Sequence, residues 1–173
     1  MSSSPDPRYP VGRLNVDYNV TPEKRAMWIQ QIADFPQQFR EAVRALPQGA
    51  LDRPYREGGW TGRQVVHHVA DSHINAYVRF RLAITEQEPR IKTYEESLWA
   101  ELIDAKTADP TLSLALLDAL HQRWHMLLTS LGPTDFARTA THPESGLINV
   151  DYLLQMYSWH GRHHLGHLKL LNS

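Results

Sequence analysis

The chain has no cysteine, which excludes a disulfide frame, a thiolate metal site and a protein thiol as nucleophile. Any reactive sulfur must therefore arrive with a substrate. Net charge is almost absent, −1 at neutral pH, and neither sign forms a long run. A nucleic-acid binder ordinarily presents a basic face, so that class is set aside. No stretch approaches the roughly 18 consecutive apolar residues of a membrane span. The opening Met1-Ser-Ser-Ser-Pro-Asp-Pro7 lacks the basic and apolar regions of a secretion signal. No strand-length alternation of apolar and polar residues stands out either, so a sheet is not expected. What remains is a cytoplasmic, all-α protein that acts on or binds small molecules, and its 173 residues suffice for one domain with a real core.

The helices can be placed from their ends and stripes. Residues 1–19, rich in Ser, Pro and Gly, read as an extended arm, and residues 20–173 as the folded unit. Thr21-Pro22-Glu23 opens a helix with a capping oxygen, a proline in the first turn and an acidic group at the positive end. Trp28, Ile32, Phe35, Phe39, Val43 and Leu46 form its apolar stripe, and Pro36 should bend it. Pro47-Gln-Gly49 ends it. A Gly-rich loop, Pro54 to Trp60, leads to a second helix capped by Thr61 and reaching about Glu86. Thr93-Tyr-Glu-Glu96 matches a capping box for a short helix. Asp109-Pro110 starts the next long helix, lined by Leu116, Leu120, Trp124, Leu127 and Leu131 and stopped by Gly132-Pro133. Residues 135–149 read as irregular, with a turn at His142-Pro-Glu-Ser-Gly146. The last helix runs from about Val150 to Leu171. Four long amphipathic helices and one short one predict a four-helix bundle.

Histidine is the residue in excess. His160, His163, His164 and His167 fall within eight positions near the C-terminus. On a helix advancing about 100° per residue they share one face. Neutral imidazole is the commonest side-chain ligand for divalent transition metals, and two at i, i+4 can hold one ion from a single helix. His160 with His164 is the better pair, since both follow the inward positions Leu153 and Tyr157; His163 with His167 is the rival. A third ligand is sought in Val65-Val-His-His-Val-Ala-Asp71. His67 and His68 are neighbours and cannot share a face. The pattern slightly favours His68, while His67 aligns with Asp71. His121 and His125 form another i, i+4 pair, read as structural or exposed, and His73 and His142 carry no signal of their own.

Several segments are long enough to be specific: Tyr55-Arg-Glu-Gly-Gly-Trp-Thr61, Gln64-Val-Val-His-His-Val-Ala-Asp-Ser-His73, Asp104-Ala-Lys-Thr-Ala-Asp-Pro110, Leu120-His-Gln-Arg-Trp124 and Trp159-His-Gly-Arg-His-His-Leu-Gly-His167. Together they closely resemble the YfiT family of the DinB-like superfamily, from about Tyr9 onward. The resemblance implies an up-down four-helix bundle, a homodimer, and one divalent ion held by three histidines. In the DinB-like pattern the first ligand lies eight residues after the Trp that opens helix two, which here is His68. The other two match His160 and His164.

Three neutral imidazoles leave an ion its full charge and an open position, as in catalytic sites; imidazole suits zinc, nickel, copper and iron, and zinc or nickel is expected. Such an ion activates a thiol or a water as nucleophile at neutral pH. The resemblance implies transfer of a small thiol of the bacillithiol type to an electrophile, with metal-dependent hydrolysis as the alternative. Transfer is favoured because Gly161, Arg162 and His163 stand where a His-Glu-x-x-His device would carry its general base. Asp71 is expected to orient a histidine. Arg56 is the candidate to bind a carboxylate of the thiol, with an ion pair to Glu57 as the plain alternative. Trp60, Trp159 and Tyr157 read as core packing before pocket wall.

Overall fold

A computed structural model describes residues 6–172. Its four long helices are α1 (Pro22–Arg44), α2 (Gly62–Thr85), α5 (Pro110–Thr129) and α7 (Val150–Lys169). Three short ones intervene: α3 (Glu96–Trp99), α4 (Ile103–Thr107) and α6 (Pro133–Phe136). The chain thus forms the expected four-helix bundle, with more short helices than the single one anticipated. Around it α1 packs on α5 and α7, and α2 packs on the same two. The consecutive pairs α1/α2 and α5/α7 therefore sit diagonally, so the links within those pairs must cross the bundle, whereas α2 and α5 are neighbours. None of the described helices is long and apolar enough to cross a membrane.

The caps act as the sequence suggests at most ends. Thr21 Oγ1 accepts from the Lys24 N–H at 3.3 Å. Thr61 and Gln64 close a reciprocal capping box, and Asp109 and Asn149 cap α5 and α7. Thr93 does not cap α3, which begins only at Glu96 without a side-chain cap. The α5 stripe is also rephased. Leu114, Leu117, His121, Trp124 and Leu128 are buried, while Leu116 is exposed, because the helix turns the 117–121–124–128 row toward α1 and α2.

The segment read as irregular holds a β-hairpin, β1 (Thr139–His142) paired antiparallel with β2 (Gly146–Asn149), Ala140 opposite Ile148. Gly146, at φ +70°, takes the left-handed conformation that closes the tight turn. Ala140 and Ile148 sink into the core beside Leu153 and Phe136. Four residues per strand are too few for alternation to register in the sequence.

Helix α1 runs unbroken through Pro36. Proline has no N–H, so the Ile32 carbonyl one turn earlier loses its helical partner. The Nδ1 of His121 fills that gap at 2.6 Å.

Candidate metal centre

The centre lies between α2 and α7. Val65, Val66 and Val69 bury the core face of α2 completely, which turns His68 toward α7. On α7 the i, i+4 spacing stacks His160 and His164 on one face. One ring nitrogen each from His68, His160 and His164 lies within 4.8 Å of the other two. The ring centroids stand 5.5 Å (His68–His160), 4.8 Å (His68–His164) and 4.5 Å (His160–His164) apart. Gly161 allows this packing. A Cβ there would meet the Phe35 ring at 2.8 Å.

Burial fixes the protonation of these rings. Desolvation, then the neighbouring imidazoles, lowers His68 to about 4 and holds His160 and His164 well below the usual range. All three are neutral at pH 7 and offer lone pairs. Three convergent neutral imidazoles are a donor set that fits a divalent ion of the zinc or nickel type.

The neighbouring His67 faces the other way. Its Nδ1 meets Ser113 Oγ at 2.8 Å and its Nε2 meets the Ala108 carbonyl at 3.2 Å. Both nitrogens are engaged with α5 and the turn before it, which leaves none for an ion. Asp71 is not brought to the centre as an orienting group. It is half-buried, burial and Asp104 raise its carboxyl to about 6, and among the described residues it bonds to none of the three imidazoles.

A cavity of about 500 Å³ opens over the centre. Its walls include His68, His160 and His164, then His163, His167, Trp60, Trp159, Tyr55, Arg56, Arg8 and Glu96. The link between α1 and α2 supplies one wall. It is held by Tyr55 N–H on the Trp60 carbonyl at 3.1 Å and turned by Gly58 at φ +65°. The N-terminal arm supplies another. Trp159 Nε1 donates to the Gly12 carbonyl at 3.1 Å, and Pro10 lies so close that a Cβ at Gly166 would reach its ring at 2.7 Å. Trp60 packs on His68 and Trp159 stacks on His163, so both tryptophans wall the cavity. Tyr157 stays in the core, its hydroxyl accepting from Arg79 at 2.7 Å.

Arg56 donates to the Glu57 backbone carbonyl at 2.9 Å rather than to its carboxylate. Five buried side-chain nitrogens lack a partner among the described residues, and three belong to this cavity: Arg56 Nε, His163 Nδ1 and His167 Nε2. Buried polar groups are ordinarily satisfied, so their concentration marks a surface shaped for a polar guest. His163, His164 and His167 also converge, with Nδ1 of His164 and of His167 3.2 Å apart. A larger cavity of about 650 Å³ elsewhere is lined by Arg25 and Asp151, which already satisfy one another in a paired bridge at 2.7 Å.

Sequence reasoning missed Glu96, Arg8 and Tyr55 as walls, since only the tertiary fold brings their segments here. It read His121 as structural or exposed, and it is buried, while it gave His73 no role. His73 Nδ1 meets His121 Nε2 at 2.8 Å, and His73 Nε2 meets His160 Nδ1 at 3.2 Å. His121 was legible in principle, since it falls between Leu117 and Trp124 in the true α5 stripe.

Comparison with known proteins agrees with this fold and with a metal-dependent family. The profile of the DinB superfamily matches residues 31–168. A protein of Bacillus mycoides strain KBAB4 named "putative metal-dependent hydrolase" is 50% identical over 166 residues, 96% of this chain and 95% of its own. One of the same name from Bacillus cereus strain B4264 is 49% identical over the same shares. The solved structure of YfiT from Bacillus subtilis, described as a probable metal-dependent hydrolase with an unusual four-helix bundle topology, superposes with a TM-score of 0.92. It is 44% identical and covers 95% of both chains.

Proposed function

The chain belongs to the DinB superfamily, and from that premise we propose a metal-dependent enzyme whose His68, His160 and His164 hold one divalent ion, zinc or nickel. Its reaction is transfer of a low-molecular-weight thiol of the bacillithiol type to an electrophile. A divalent ion on three neutral imidazoles supplies the positive charge that makes a thiol or a water nucleophilic at neutral pH. The substrate sulfur bonds to the electrophilic carbon, the leaving group departs with the bonding pair, and the thiol proton is released.

The chain's own groups divide the remaining work. Trp60 and Trp159 exclude water from one side. Arg56 lines the cavity and keeps a buried Nε without a partner among the described residues, and a planar guanidinium suits a carboxylate on the thiol. Glu96, an exposed residue, lines the same cavity, and its carboxylate can take the departing proton. The observation that carries the reading is the convergence of three neutral imidazoles on a cavity that Arg56, His163 and His167 also line.

Hydrolysis is the second reading. The names of the relatives favour it, and so does Glu96, which can serve a water as well as a thiol. The deciding experiment loads the protein with zinc or nickel and mixes it with a small thiol and a chlorobimane. Metal-dependent thioether formation supports transfer; its absence with several biological thiols, together with ester or amide cleavage, selects hydrolysis. Under either reading the partners are small molecules, and the chain is proposed to act in the cytoplasm as a homodimer. Light scattering then gives twice the 19.9 kDa chain mass.

A further inference from the structure

We propose that His73 and His121 are positioning residues for the metal centre: a chain of imidazoles, anchored on the carbonyl that Pro36 frees, fixes His160 in the tautomer that presents Nε2 to the ion. The proposal rests on the three-imidazole reading of the centre and not on the choice between transfer and hydrolysis.

The argument is a proton count along one line of contacts. A carbonyl only accepts, so the 2.6 Å contact of His121 Nδ1 with Ile32 O places a proton on Nδ1. His121, 2% exposed beneath Trp124 and Phe35, is neutral, so its Nε2 is bare and accepts. His73 must then donate from Nδ1 across 2.8 Å. His73 is 1% exposed and also neutral, so its own Nε2 is bare and accepts from His160 Nδ1 at 3.2 Å. His160 is thereby left with its lone pair on Nε2, the ring nitrogen that does not face His73. Ser72 Oγ sits 3.4 Å from that atom and can donate to it.

Each link admits one direction only, because the first acceptor cannot be reversed. Pro36 gives the carbonyl its need for a side-chain donor, since no backbone N–H stands four residues on. Metal-ligating histidines ordinarily donate their second N–H to a carboxylate, a carbonyl or water. Here two further imidazoles carry the same instruction from a helix that does not touch the centre. Phe35 and Trp124 flank His73 and His121, and both imidazoles are almost fully buried.

The test starts with the unsubstituted full-length protein, metal-free and labelled with nitrogen-15, read by long-range proton–nitrogen correlation of its imidazole rings. His160, His73 and His121 are each expected with the proton on Nδ1 and a bare Nε2; His160 protonated on Nε2 overturns the proposal. Zinc affinity is then measured by competition with a chromogenic chelator. His73→Leu removes the acceptor and is expected to weaken zinc binding about ten- to hundredfold. His73→Gln, whose oxygen can accept from His160, recovers most of that loss. His121→Leu leaves His73 in place but unlocked and gives a smaller loss. A role in packing alone would lower the thermal midpoints yet leave zinc affinity of the folded variants within about twofold, which also overturns the proposal. If His73→Leu does not fold, the ring spectrum of the unsubstituted protein decides. Failure of that protein to bind zinc sinks the three-imidazole reading and this inference with it, whereas zinc binding with the opposite His160 tautomer sinks only the inference.

Discussion

The two sides of the centre are built on opposite rules. Toward α1 and α5, every nitrogen of His73 and His121 has a partner and aromatic rings flank both, although Trp124 Nε1 beside them has none among the described residues. Toward the cavity, His163, His167 and Arg56 each keep a buried nitrogen without one among the described residues. A satisfied network rigidifies, and an unsatisfied one costs stability unless a ligand completes it. The sealed side therefore holds geometry, and the open side is where chemistry can enter.

That contrast can be broken from either side. The largest effect is expected for His160→Ala and His164→Ala, which remove ligands from the border itself. Elemental analysis of untagged protein should fall from about one zinc or nickel per chain to background. His68→Ala should lose the metal in the same assay while His67→Ala keeps it. The latter is expected instead to lower stability by about 1–3 kcal/mol, read by urea unfolding, since Ser113 and the Ala108 carbonyl lose their partner. Metal retained in His68→Ala and lost in His67→Ala would reverse the assignment of the two faces.

On the sealed side, Phe35→Ala should destabilise the fold by about 3 kcal/mol through the cavity it leaves between α1, His73 and His121. The pH response sharpens the comparison further. Unfolded histidines take up protons near 6.5, whereas buried His68 and His121 stay neutral down to about 4. Between those values the unfolded state binds more protons, so stability rises with pH through that window and is lost as pH falls from 6.5 toward 4. Thermal midpoints of the metal-free protein should follow that slope; a flat profile would mean these rings are not desolvated as described. The smallest effect is expected for Pro36→Ala. It restores a helical N–H to compete for Ile32 O, yet a carbonyl accepts two bonds, so zinc affinity should weaken by a few-fold at most.

Much of this was legible in the sequence, and the rest was hidden for identifiable reasons. The α7 stripe and its histidine face could be read because helical period and burial agree over 20 residues. Periodicity favoured His68 over His67 only slightly, since α2 is buried nearly all round in its first half. The hairpin at 139–149 escaped because each strand has four residues and its buried members are Ala140, His142 and Ile148. The link from Pro36 to His160 spans α1, α5, α2 and α7, and no local pattern announces a contact of that kind.

The docked N-terminal segment has a practical corollary. Arg8 already forms part of the cavity wall, and an extended chain reaches only about 3.5 Å per residue. A polyhistidine tag fused at the N-terminus would therefore hang beside the very imidazoles it imitates, able to capture or contribute an ion, and nickel-affinity purification would supply that ion. Metal stoichiometry for this protein is best measured on material that has never carried such an extension.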